Sequence, residues 1–104
     1  MSGGSAPTRR LAAILAADIA GYSTLVGADE EGTVRALRGH QAATLPMIAE
    51  QGGRVIDTAG DGILAEFSSV LNAVRCAMAI QRVMASRNAD VAPDKALSFR
   101  IGVN

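Results

Sequence analysis

The stretch Arg54-Val55-Ile56-Asp57-Thr58-Ala59-Gly60-Asp61-Gly62-Ile63-Leu64-Ala65-Glu66-Phe67 constrains the fold more than any other part of the chain. Two short runs, 54–58 and 63–67, carry the β-branched and large apolar residues of strands, and Ala59-Gly60-Asp61-Gly62 between them is a Gly-rich tight turn. A β-hairpin is predicted there. Upstream, the continuous apolar run 11–17 fits a strand buried on both faces. Downstream, Leu97, Phe99, Ile101 and Val103 alternate with Ser98, Arg100 and Gly102, the pattern of a further strand. Between the first strand and the hairpin, Asp29, Glu30 and Glu31 suit the positive end of a helix. Val34, Leu37, Leu45 and Ile48 give that helix its stripe, with Gln41 at a polar position in it, and Gly52-Gly53 is its stop. Pro46 is expected to kink this helix or to end its first segment. After the hairpin, Ser68 or Ser69 can cap a second helix facing the core through Val70, Ala73, Val74, Ala77, Ile80 and Met84. Residues 88–95, with Pro93, form a polar connection.

The order strand, helix, hairpin, helix, strand is that of an α+β, ferredoxin-like split β-α-β-β-α-β sheet with helices on one face. Residues 1–8 are Gly, Ser and Pro without periodicity, an expected disordered leader, and the domain is expected to occupy 9–104. A chain stopping at Asn104, in or just after a strand, predicts a core that is incomplete at the C-terminus.

Composition narrows the function classes. With 104 residues, 49% apolar and ten basic against ten acidic side chains, the chain supports one domain. No stretch approaches the ~20 apolar residues of a membrane span. Zero net charge argues against a nucleic-acid partner held by phosphate contacts, and Tyr22, Phe67 and Phe99 are too few aromatics for base stacking. Cys76, the single cysteine, excludes an internal disulfide and a thiolate metal cluster; among Val74, Ala77 and Ile80 it reads as a buried small hydrophobe of a cytoplasmic protein. Arg9-Arg10 before the apolar run superficially resembles a signal peptide, but Asp18 interrupts it and a strand uses the run better.

Two carboxylates stand out. Asp18 directly follows the predicted first strand and Asp61 lies in the turn, so a split β-α-β sheet can bring both to one end. Hard divalent cations take such oxygen ligands, completing their shell with water and phosphate. Beside Asp18, the segment Ala20-Gly21-Tyr22-Ser23 offers backbone N–H groups, and Gly21 allows close approach of a phosphate. The plainer alternative is that Asp18 caps a helix and Asp61 is a turn residue. His40 reads as a surface side chain, Arg35, Arg38, Arg75 and Arg82 as solvated helix faces, and Met47, Met78 and Met84 as core filler. Glu66 alternates out of the hairpin core, exposed or at an interface.

Ala17-Asp18-Ile19-Ala20-Gly21-Tyr22-Ser23 resembles the opening motif of class III adenylate and guanylate cyclase catalytic domains. Thr58-Ala59-Gly60-Asp61-Gly62 through Phe67 resembles their hairpin motif, and Arg100-Ile101-Gly102-Val103-Asn104 the start of a third. The resemblance runs from about Arg9 to Asn104. It implies that Asp18 and Asp61 bind two Mg²⁺ or Mn²⁺ ions, with a backbone carbonyl from Ile19, and that Ala20, Gly21, Tyr22, Ser23 and Thr24 wrap the phosphates of ATP or GTP. It also implies a homodimer and the formation of a 3′,5′-cyclic nucleotide, cAMP ahead of cGMP, in intracellular signalling. Asp57 stands where the family carries a base-reading lysine or glutamate, and with Gly60 completes the implied substrate contacts; an acidic residue there can accept from either base. The family's transition-state asparagine and arginine match nothing before Asn104, so the chain alone is expected to turn over little or nothing. Two alternatives remain: a catalytically silent cyclase-like dimerisation or regulatory module, and a phosphoacceptor receiver domain with Asp57 as acceptor.

Overall fold

A computed structural model describes residues 12–104; the expected leader and Arg9, Arg10 and Leu11 lie outside the described residues. The elements run β1 (Ala13–Ile19), α1 (Tyr22–Ala28), α2 (Glu30–Glu50), β2 (Gly53–Asp57), β3 (Ile63–Phe67), α3 (Val70–Asn88) and β4 (Phe99–Val103). The four strands form one sheet in the order β2-β3-β1-β4, with every neighbouring pair antiparallel. Each helical crossover therefore skips one strand, which is the split β-α-β topology expected from the sequence. A receiver domain would need a mostly parallel sheet, so the fold removes that alternative.

Alternation along the strands sorts residues between the sheet's faces. Ala13, Leu15, Ala17 and Ile19 of β1, Ile63, Ala65 and Phe67 of β3, and Phe99 of β4 are buried. They pack against Leu37 and Ile48 of α2 and Ala73, Cys76, Ile80 and Met84 of α3. β1 spans two residues more at its C-terminal end than its apolar run suggests, so Asp18 belongs to the strand and does not follow it.

The helices depart from expectation in three ways. Residues 22–28 form α1, a helix not among the elements expected from the sequence; Gly21, at φ 65°, turns the chain out of β1 and into it. α2 passes through Pro46 as one element. Pro46 lacks the N–H for the Ala42 carbonyl, but both residues are exposed, so water can satisfy that oxygen. The buried stripe of α2 is Thr33, Leu37, His40, Thr44 and Ile48; Leu37 and Ile48 are as expected, but Thr33, His40 and Thr44 are buried where Val34, Gln41 and Leu45, all only half-buried, were expected. Each is satisfied: Thr33 Oγ1 donates to the Leu25 carbonyl (3.0 Å), Thr44 Oγ1 to the His40 carbonyl (2.7 Å), and His40 Nδ1 accepts from Arg87 Nε (2.8 Å). His40 is thus a buried helix–helix contact, not a surface side chain. On α3, capped by the Ser69 hydroxyl, Val70, Val74 and Met78 face solvent; Cys76 takes the core position expected of Val74.

Candidate active site

Topology decides which residues meet. β1 and β2 run the same way, so the end of β1 and the β2–β3 turn share one end of the sheet, and β4 starts there too. The pairing of Ala17 with Ile63 would place Asp61 opposite Ile19 if the ladder continued. The chain turns instead, and Asp61 Oδ2 accepts the Ile19 N–H at 2.9 Å in place of a main-chain carbonyl. The Asp61 carboxylate is thereby fixed against the peptide that follows Asp18.

The turn is built for this. Gly62 N–H donates to the Ala59 carbonyl (3.1 Å). Gly60 has φ 61° while Asp61 does not have positive φ, the sign pattern of a type II′ hairpin turn with glycine first. Asp57 Oδ1 accepts from Ala59 N–H (3.1 Å), an Asx turn that fixes entry to the loop.

Asp18, Ile19, Gly21, Tyr22, Ser23, Thr24, Asp61 and Arg100 line one open cleft. Of the residues singled out from sequence, Asp57, Gly60 and Ala20 do not line it; Asp57 and Gly60 shape the adjoining hairpin turn. Ala20 N–H is used by the Ser98 carbonyl (2.9 Å). The first intrahelical bond of α1 is Leu25 N–H to Gly21 O, so the N–H groups of Tyr22, Ser23 and Thr24 precede the helical ladder. Asp18 is no helix cap: Gly21 holds that place for α1, and Asp29, whose carboxylate accepts from Gly32 N–H, holds it for α2.

Arg100 is the site residue that sequence reasoning missed. Its Nε and Nη2 donate to the two Asp18 oxygens at 2.8 and 3.1 Å. Those hydrogen bonds, more than the charge itself, hold the Asp18 carboxyl below its ordinary value, and with the added field of Asp61 they keep Arg100 protonated. Alternation puts Arg100 on the face opposite Phe99 and Ile101; only the β1–β4 register reveals Asp18 as its partner.

The donor chemistry fits a hard divalent cation. Two carboxylates and main-chain oxygens are the ligands such ions prefer. A carboxylate has about four lone-pair directions, and the fork of Arg100 takes two of those on Asp18. Among the described residues no cluster of three or more His, Cys, Asp or Glu exists that would offer a competing all-protein cage.

No family model matches the chain. It is 48% identical over 97 residues to a protein of Rhizobium meliloti called putative adenylate cyclase 3, covering 92% of this chain and 16% of that one. The solved adenylate/guanylate cyclase/hydrolase from Silicibacter pomeroyi superposes with a TM-score of 0.82 at 41% identity, over 93% of this chain and 57% of that one. The chain belongs to the class III adenylate and guanylate cyclases. The guanylyl cyclase Cya2 also shares the fold, with a TM-score of 0.79 at 27% identity. The chain spans about half the length of such solved relatives (57% and 54%) and a smaller share of the curated one. Among its described residues no helix is long and apolar enough to cross a membrane.

Proposed function

We propose that the chain contributes the metal and phosphate side of a nucleotide cyclase active site, in a cytoplasmic protein of intracellular signal transduction. The complete enzyme converts a nucleoside triphosphate to its 3′,5′-cyclic monophosphate and pyrophosphate. The reading rests on one observation above all: Asp61 is hydrogen-bonded to the peptide next to Asp18, so two carboxylates from distant parts of the chain share one cleft. ATP is the proposed substrate and cAMP the product, a preference supported by the name of the relative at 48% identity.

Asp18, Asp61 and the Ile19 carbonyl would hold two Mg²⁺ or Mn²⁺ ions, which when bound neutralise phosphate charge and favour the ionised 3′ hydroxyl. The N–H groups of Tyr22, Ser23 and Thr24 and the Arg100 guanidinium supply donors for the triphosphate oxygens. The bond from O3′ to the α-phosphorus forms as the bond to the pyrophosphate oxygen breaks, and the hydroxyl proton leaves. No covalent protein nucleophile is required. Asp57, at the end of β2, is the proposed base-reading side chain, within a homodimer whose second subunit completes the site. The chain alone is proposed to bind metal triphosphate weakly and to turn over little or nothing.

The test uses a polypeptide spanning the whole domain, with cyclic nucleotide formation from ATP and GTP measured for Asp18→Ala and Asp61→Ala. Loss in both variants supports the reading; undiminished activity in either removes the metal role. Sedimentation of the active enzyme as monomer alone would remove the dimer.

A further inference from the structure

The outer face of α3 has a pattern that neither the core nor the cleft uses. Taking 100° per residue, the buried residues Ala73, Cys76, Ile80 and Met84 define one side of the helix, and Leu71 and Met78 fall almost opposite them. Those two are the most exposed large apolar side chains of the helix, at 57% and 55%, and Val74 and Val70 widen the strip at 39% and 52%. Leu71, Val74, Met78 and Ala85 stand at the seam positions of a 3-4 repeat, interrupted only at Gln81, whose amide donates to the Phe99 carbonyl (2.8 Å). Beside the seam, at the flanking position of each heptad, stand Arg75 and Arg82, both exposed and without an ion-pair partner among the described residues. α3 contains no Asp or Glu anywhere in Val70–Asn88, and its third arginine, Arg87, is already engaged by His40.

We infer that this face of α3 is a docking seam for an amphipathic helix that carries acidic residues beside its own apolar stripe. The apolar strip supplies the burial, and the two arginines choose the partner, as flanking charges do in coiled coils. A second copy of the chain is disfavoured, since antiparallel pairing of two such seams sets arginine against arginine and parallel pairing sets it against Val70 and Ala77. Residues 1–11 contain no acidic side chain and cannot supply the complement. An anionic lipid surface is disfavoured because two arginines are fewer than the four to eight basic residues of typical lipid-binding clusters.

The probe is a synthetic three-heptad peptide with Leu at its seam positions and Glu at both flanking positions, titrated into the ¹⁵N-labelled chain. Shifts confined to α3 around Leu71, Val74, Met78 and Arg82, weakened by salt, are expected. Arg75→Glu/Arg82→Glu should weaken binding at least tenfold and Met78→Glu should abolish it, each with an unchanged far-UV spectrum because these side chains lie outside the core. A Lys-flanked peptide should not bind. Absence of binding, shifts elsewhere, equal binding of the Lys peptide, tight co-sedimentation with phosphatidylserine vesicles, or self-association lost in Met78→Glu would each overturn the inference.

Discussion

Two arginines tie distant elements together in this molecule, and they do so in opposite surroundings. Arg100 grips Asp18 across β4 and β1 at the open end of the sheet, where both side chains are substantially exposed. Arg87 donates to His40 between α3 and α2, where the imidazole is 6% exposed. Water screens the first pair, so it can exchange partners with an ion or a phosphate at little cost to the fold. In the second pair a buried acceptor depends on one donor, and loss of that donor leaves desolvated nitrogen without a partner. Exposure, more than the chemistry of the contact, decides which pair is available for function and which maintains packing.

The largest expected effect lies at the exposed end. In a complete domain, Asp18→Ala or Asp61→Ala should lower the cyclisation rate by at least about 100-fold, the scale on which metal-held charge stabilisation acts. Asp18→Ala should leave the thermal midpoint unchanged. A parallel collapse of stability would mean that the pair is structural and would erase the contrast with Arg87.

At the buried pair, Arg87→Ala should cost about 1–3 kcal/mol of stability, read from urea unfolding, because His40 Nδ1 loses its donor. A cost near zero would show that water reaches the imidazole.

Acid separates the two pairs further. Burial first, and the Arg87 charge second, hold the His40 pKa below its ordinary 6.5. The unfolded chain therefore binds a proton at His40 more readily than the folded one. This contribution to stability is complete above pH 6.5 and is lost as pH falls from there toward the lowered folded value. Urea midpoints compared at pH 7.5 and 5.5 should drop with acid, and His40→Gln should flatten the drop; an equal drop in the variant would assign it to other groups.

The smallest effect sharpens the functional side. Arg100→Ala frees both Asp18 oxygens, so divalent-ion affinity measured by calorimetry should rise a few-fold while triphosphate affinity falls. A fall in both would mean that Arg100 shapes the cleft rather than competing within it.

Much of this was legible in the sequence where side-chain periodicity is enforced by burial. The hairpin, β4 and the order of elements follow from alternation and turn chemistry, and Asp18 and Asp61 from their motifs. α1 escaped because seven residues bracketed by Gly21 and Asp29, with none fully buried, produce no helical stripe. The face of α2 was misjudged because Thr33, His40 and Thr44 occupy core positions through hydrogen bonds to the backbone and to Arg87, which hydrophobicity does not register. α3 was partly misjudged because Val70, Val74 and Met78 are as apolar as a core stripe yet face solvent, and pattern alone cannot tell an inner face from an outer one. The Asp18–Arg100 pair needed strand register, which joins residues 82 positions apart.

The central claim is that Asp18 and Asp61 present one shared site to a divalent cation, and paramagnetic broadening by Mn²⁺ in the ¹⁵N-labelled chain tests it directly. The amide signals of Ile19, Gly60 and Gly62 should broaden first at substoichiometric Mn²⁺, and Asp18→Asn or Asp61→Asn should each remove that broadening. Broadening centred on Asp29, Glu30 and Glu31, or persisting at Ile19 in both variants, would contradict the account.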